Sequence, residues 1–275
     1  MIEVKSITFG YRGKGRLFSD FSLALPDGHI YGLLGCNGTG KSTMLKLFCG
    51  MLAPLSGEVR MNGFKASERR AEMMKDIMIV PEEFELPAVS ASEYARFTAP
   101  FYPSFSAEQM NGYLERFEVS AEQNFKSMSL GQRKKAYLAF AMACNTPTLL
   151  LDEPTNGLDI PSKVVFRRLL AEWAAEGRTA MISTHQVKDV ENLIDHIVMI
   201  DLGGVVLNAS VEQICRRLLF TTSLTAEGAI YAEPSLGGFS TITTNPEERQ
   251  SRLDIELLFD AASTCREEIK SILNS

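Results

Sequence analysis

Apolar and polar positions alternate at the start of the chain, at Ile2, Val4 and Ile7 to Phe9, and an extended run from Leu17 to Leu25 leads into a Pro26-Asp27-Gly28 turn. This pattern predicts half-buried strands joined by tight turns. The next apolar run, Ile30-Tyr31-Gly32-Leu33-Leu34, enters a glycine-rich loop and then a helical stretch from Ser42 that its own Gly50 closes. Four later runs, Ile77-Met78-Ile79-Val80, Leu149-Leu150-Leu151, Ala180-Met181-Ile182 and Ile197-Val198-Met199-Ile200, lack alternation, as strands buried on both faces do. Helical stretches separate them, so the pattern predicts an α/β fold with a parallel sheet and crossover connections.

Between residues 84 and 145 the composition turns helical, and Tyr94, Phe97, Tyr102, Phe105, Tyr113 and Phe117 read as the core of a helical subdomain. Beyond residue 210 a helix over 211–219 is expected, then a Gly/Ser/Thr-rich stretch with room for strands, then another helix from about Asp254. The expected division is a main domain over 1–210 and a small C-terminal extension over 211–275.

Composition narrows the function. With 45% apolar and 23% charged residues in 275, the chain can bury a sizeable core. A net charge of −6 argues against a general nucleic-acid binder, which needs clustered cations. The first residues, Met1-Ile2-Glu3-Val4-Lys5, do not resemble a signal peptide, and the longest apolar stretch is about half of the roughly 20 residues that span a bilayer. Cys36, Cys49, Cys144, Cys215 and Cys265 are odd in number and scattered, which suits a reducing compartment.

The sharpest chemical signal is Gly35-Cys36-Asn37-Gly38-Thr39-Gly40-Lys41-Ser42-Thr43, a GxxxxGK[ST] loop between a buried strand and a helix. Backbone N–H groups of such a loop wrap phosphate oxygens, Lys41 reaches the β- and γ-phosphates, and the Ser42 hydroxyl suits a Mg²⁺ position. Cys36 lies inside this loop, so a bulky adduct on its thiol is expected to block ATP and bound ATP to slow its modification; the alternative is an inert thiol turned into the core. A second signal, Leu149-Leu150-Leu151-Asp152-Glu153, ends a strand in two carboxylates, one suited to hold Mg²⁺ through water and the next to polarise an attacking water.

With Met128-Ser129-Leu130-Gly131-Gln132 between them, these motifs resemble the ABC ATPase family, whose signature is usually Leu-Ser-Gly-Gly-Gln. Other landmarks follow in order: Tyr11 where the family sets an aromatic ring against adenine, Asn156-Gly157-Leu158-Asp159 resembling the D-loop, and Ser183-Thr184-His185 resembling the switch histidine. The resemblance covers residues 2–210. It implies a P-loop core with an N-terminal antiparallel β subdomain and a helical subdomain, and ATP and Mg²⁺ as cofactors. It also implies two copies sandwiching two nucleotides, with Ser129 and the Gly131 N–H of one meeting the γ-phosphate held by the other and Gln132 beside them in the nucleotide-binding set. Glu153 would be the general base, His185 would hold the γ-phosphate and the attacking water, and Ser42 and Asp152 would face the metal.

Two departures stand out. Glu82 occupies the place of a glutamine that normally touches Mg²⁺ or the attacking water, and Leu130 replaces the signature's first glycine. Glu82 reads either as a metal contact or as a solvated residue opening a turn. The resemblance implies a separate transmembrane permease, a second ATPase subunit and a place on the inner face of the membrane through that permease, with no nucleic acid. The segment Leu253-Asp254-Ile255-Glu256-Leu257-Leu258-Phe259 is loosely similar to export ATPases of the bacitracin-resistance kind. The alternative is a non-transport ABC-type ATPase acting on a macromolecular partner.

Overall fold

A computed structural model describes residues 1–201 and 204–274. Strands β1 (Ile2–Gly10), β2 (Arg16–Leu25), β4 (Ser56–Met61) and β5 (Phe64–Lys65) form an antiparallel sheet in the order β2-β1-β4-β5. On β1 the residues Ile2, Val4, Ile7 and Phe9 are all buried, and a register shift between Val4 and Ile7 keeps the apolar set on one face despite the odd spacing.

The second sheet holds β3 (Ile30–Leu34), β6 (Ile77–Val80), β7 (Thr148–Asp152), β8 (Thr179–Ser183), β9 (His196–Asp201) and β10 (Gly204–Ser210) in the order β10-β9-β3-β8-β7-β6. All pairings are parallel except β9 with β10. Leu33 is paired with Ser183 and Ser183 with Asp152, so the ends of β3, β8 and β7 share one edge of the sheet. Their loops therefore converge there, as expected at the carboxyl ends of parallel strands.

Helix α1 (Lys41–Phe48) follows the phosphate loop and packs Met44, Leu45, Leu47 and Phe48 into the core between the two sheets. A short α2 (Ala71–Met74) precedes β6. Residues 84–145 carry α3 (Ala91–Thr98), α4 (Ala107–Arg116) and α5 (Leu130–Ala143). Tyr94, Tyr102 and Phe105 all ring Phe140, and Phe117 is buried, but Phe97 points outward at 62% exposure. Helix α6 (Ile160–Ala174) crosses from β7 to β8, with Asp159 accepting from Ser162 N–H at its start and Trp173 buried near its end.

Beyond residue 210 the expected helix is shorter, α7 (Val211–Arg217), because Leu218 turns extended and opens β11 (Leu218–Ser223). This strand pairs with β13 (Gly238–Thr244), which also pairs with β12 (Tyr231–Ser235). Asp254 caps α8 (Ile255–Thr264), and α9 (Arg266–Asn274) follows. The extension does not build a separate core. Ile242, Leu258, Ala261 and Ile269 lie in one apolar cluster with Leu34, Ile182 and Met199 of the large sheet.

Candidate nucleotide-binding site

The loop between β3 and α1 holds its shape through Thr39, whose N–H and hydroxyl both donate to the Cys36 carbonyl, at 3.3 and 2.8 Å. Gly40 has φ 105°, and a Cβ there would come within 2.6 Å of the Phe18 ring, so both backbone and space demand glycine. The Lys41 ammonium donates to the carbonyls of Gly35 and Cys36 at 2.7 and 3.3 Å, which fixes it under the loop. The first N–H groups of α1 have no acceptor within the helix, and a helix start of this kind favours an anion.

A cleft of about 570 Å³ opens over this loop, lined by Tyr11, Lys41, Ser42, Thr43, Glu82 and Glu153 among others. The half-exposed Tyr11 ring stands edge-on to Phe9, and its hydroxyl is 2.9 Å from Thr43 Oγ1, which ties the ring to the first turn of α1. Lys14, from the turn joining β1 and β2, and Arg16, which opens β2, also line the cleft. Sequence reading passed over these two cations; the signal was their density, Arg12, Lys14 and Arg16, just after Tyr11.

Asp152 is buried and accepts hydrogen bonds from Ser42 Oγ at 3.0 Å and from Ser183 Oγ. Glu153 follows in the left-handed region, φ 45°, which is uncommon for a non-glycine residue and turns its side chain off the strand axis. Its Oε1 accepts from the backbone N–H of His185 at 3.0 Å and lies 2.7 Å from the His185 Nδ1, while Oε2 accepts from Thr184 Oγ1 at 3.1 Å. Glu82 is exposed at the cleft, its Oε1 accepting from Asn156 Nδ2 at 3.0 Å, and Asn156 in turn accepts from Gln186.

The signature residues lie elsewhere. Ser129 and Gln132 form a reciprocal cap on α5: the Gln132 N–H donates to Ser129 Oγ at 3.2 Å and the Ser129 N–H to Gln132 Oε1 at 2.9 Å. A Cβ on Gly131 would meet the Gly157 carbonyl at 2.8 Å, so glycine lets α5 sit against the segment before α6. Ser129, Gly131, Gln132 and Asp159 line a second cleft of about 420 Å³, of which the phosphate loop is no part. His185 and Cys36 line a third, against Phe259 and Asp260 of α8. The exposed Cys36 thus faces the C-terminal extension and does not line the nucleotide cleft, although its carbonyl shapes the loop.

A phosphate loop, a buried Asp-Glu pair at the next strand but one, and a histidine just past the end of the strand between them define a P-loop nucleoside triphosphatase. The family described as ABC transporter matches residues 18–156. The chain is 30% identical over 203 residues to the ABC transporter ATP-binding protein NatA of Bacillus subtilis, covering 71% of this chain and 82% of that protein. The linearmycin resistance ATP-binding protein LnrL of the same organism is 27% identical over 267 residues, covering 93% and 85%. A solved ATP-binding subunit of an ABC transporter superposes with a TM-score of 0.71 at 25% identity, over 78% of this chain and 92% of that one. The dimeric post-hydrolysis state of the cassette MJ0796, bound to ADP and Pi, gives 0.68 at 25% identity, over 77% and 99%.

The chain belongs to the ABC transporter family and is an ATP-binding cassette ATPase of bacterial type. Among the described residues no helix is long and apolar enough to cross a membrane.

Proposed function

We propose that the chain hydrolyses Mg·ATP as a dimer that drives a separate transmembrane permease in export. The carrying observation is the division of the site: phosphate loop, Asp152 and Glu153 share one cleft while Ser129, Gly131 and Gln132 line another, so each half needs its complement from a second copy. Exposed apolar side chains beside the second cleft, Leu130 at 59% and Ile160 at 80%, suit burial against that copy. The names of relatives, which include a linearmycin resistance protein and a lantibiotic transport protein, favour export and a place at the membrane through the permease.

The donor set fits magnesium. Ser42 and Asp152 offer hard oxygens already 3.0 Å apart, and among the described residues no cluster of three or more His, Cys, Asp or Glu exists that would form an all-protein cage. Mg²⁺ is commonly held by one or two carboxylates with substrate phosphates and water, and when bound it neutralises charge between the β- and γ-phosphates. Tyr11 packs against the adenine, and Lys41 with the loop N–H groups holds the phosphates. Glu153 orients the attacking water and accepts its proton, and His185 aligns Glu153 and reaches the γ-phosphate. Ser129 and Gly131 of the second copy close the site with the positive end of α5.

Glu153→Gln keeps the side-chain shape and removes the proton acceptor, so turnover is expected to be lost with ATP binding retained. Hydrolysis and sedimentation, each with and without Mg·ATP, test this reading. Wild-type turnover in the variant removes Glu153 from the role of base.

A further inference from the structure

Lys134 is the one buried cation besides Lys41 among the described residues, at 2% exposure, and it lies on α5 five residues from Ser129. Its ammonium donates to the backbone carbonyl of Glu153 at 2.7 Å. The same carbonyl accepts from Asn156 N–H at 3.2 Å, while the Glu153 N–H donates to Ser183 at 3.0 Å. The left-handed residue of the site is therefore held at both ends of its peptide, and one holding group comes from a different helix.

The surroundings explain why a lysine is tolerated there. Burial pushes its pKa down, and Glu82, Glu153 and Asp152 act against that by favouring the charged form. A buried ammonium without such partners would be strongly unfavourable. Glu82, which lines the same cleft as Glu153, adds a negative charge that the glutamine usual at its position lacks and leads the charges that favour the ammonium.

We infer that Lys134 is a positioning residue for the general base: it pins the Glu153 carbonyl in its left-handed turn and offsets the charge of Glu82, linking α5 to the carboxylate. The inference rests on the assignment of Glu153 as base. It also gives the signature helix a direct mechanical hold on Glu153, since Ser129 caps the helix that carries Lys134.

The test uses the full-length chain with four variants, Lys134→Met, Lys134→Gln, Glu82→Gln and the double variant Lys134→Gln/Glu82→Gln, measuring kcat, KM for ATP and thermal unfolding. Lys134→Met, which removes donor and charge, is expected to lower kcat by about tenfold or more with KM changed less than about twofold. Lys134→Gln keeps an N–H donor but loses the charge, so its loss should shrink to less than about threefold once Glu82→Gln is also present. Should Lys134→Met fail to fold, the coupling between Lys134→Gln and Glu82→Gln still decides. Wild-type kcat in Lys134→Gln, or equal losses with and without Glu82→Gln, overturns the inference. Failure of the base assignment shows separately, as turnover surviving in Glu153→Gln.

Discussion

The His185 Nδ1 stands 2.7 Å from Glu153 Oε1, and the backbone N–H of His185 donates to the same oxygen at 3.0 Å. The ring and the main chain of one residue thus both meet a single carboxylate oxygen. With Thr184 on the other oxygen, the end of β8 orients the carboxylate that follows β7. Removing the ring leaves the backbone N–H and Thr184 in place but loses the alignment of the carboxylate and the group proposed to reach the phosphate. His185→Ala is therefore expected to lower kcat about 10²-fold, the usual scale for a group assisting proton transfer, with ATP affinity little changed. Steady-state hydrolysis and equilibrium binding of ATP separate the two quantities; equal losses in both would make His185 a binding residue.

The C-terminal extension shares its core with the ATPase sheet, so the two should unfold together. Leu258 is fully buried in that joint cluster, and Leu258→Ala is expected to cost about 2–5 kcal/mol of stability through lost contacts and a residual cavity. Lys188 on the switch segment pairs with Glu256 of α8 at 2.7 Å, and Arg252 bonds Glu191 and Asn192. These pairs are exposed and contribute little to stability individually. Calorimetry of the Leu258→Ala chain should show one transition at a lower temperature. Two resolved transitions, only one of them shifted, would establish an independently folding extension.

What the residues alone revealed and what they hid divide along physical lines. The strands at Ile77–Val80 and Thr148–Asp152 announce themselves because burial on both faces demands an unbroken apolar run. The phosphate loop is equally plain, since its spacing is dictated by phosphate geometry. Strands β11 to β13 were only hinted at, because Thr221 and Thr222 are exposed, Ser240 and Thr243 are half-buried, and together they carry no strong period. Lys134 was passed over for a different reason. A lysine beside Arg133 and Lys135 reads as a solvated helix face, and only the placement of α5 under Glu153 buries it. The facing of Cys36 depends on loop dihedrals and on α8, more than two hundred residues along the chain.

That facing sets a chemical expectation. Cys49 and Cys144 are buried, and burial raises both thiol pKa values, so they should react slowly with maleimides. Cys36 is exposed and should be modified first. Because it lines the cleft against Phe259 and not the nucleotide cleft, saturating Mg·ATP should change its labelling rate by less than about twofold, the spread expected when access is unaltered. Mass spectrometry of timed labelling locates the adducts. Strong protection of Cys36 by ATP would mean that the thiol turns into the nucleotide cleft.

Glu82 stands where the resemblance to ABC ATPases sets a glutamine, and it is exposed at the nucleotide cleft. One carboxylate oxygen accepts from Asn156, on the segment leading to α6, and the side chain lines the same cleft as Lys41, Ser42 and Glu153. An added carboxylate near a triphosphate either repels it or strengthens the hold on its metal, and contact with the metal decides which effect is larger. We propose metal contact, directly or through one water, because Ser42 and Asp152 supply few protein oxygens and leave coordination positions open. Glu82→Ala is then expected to raise the Mg²⁺ concentration for half-maximal hydrolysis by about tenfold, the usual scale for losing a group next to a metal ligand set. Glu82→Gln, which keeps one neutral oxygen and the bond from Asn156, should recover part of that loss. Titrations with Mg²⁺ at fixed ATP measure both variants. An unchanged midpoint in both would remove Glu82 from the metal site and leave it as the anchor of Asn156 at the cleft mouth.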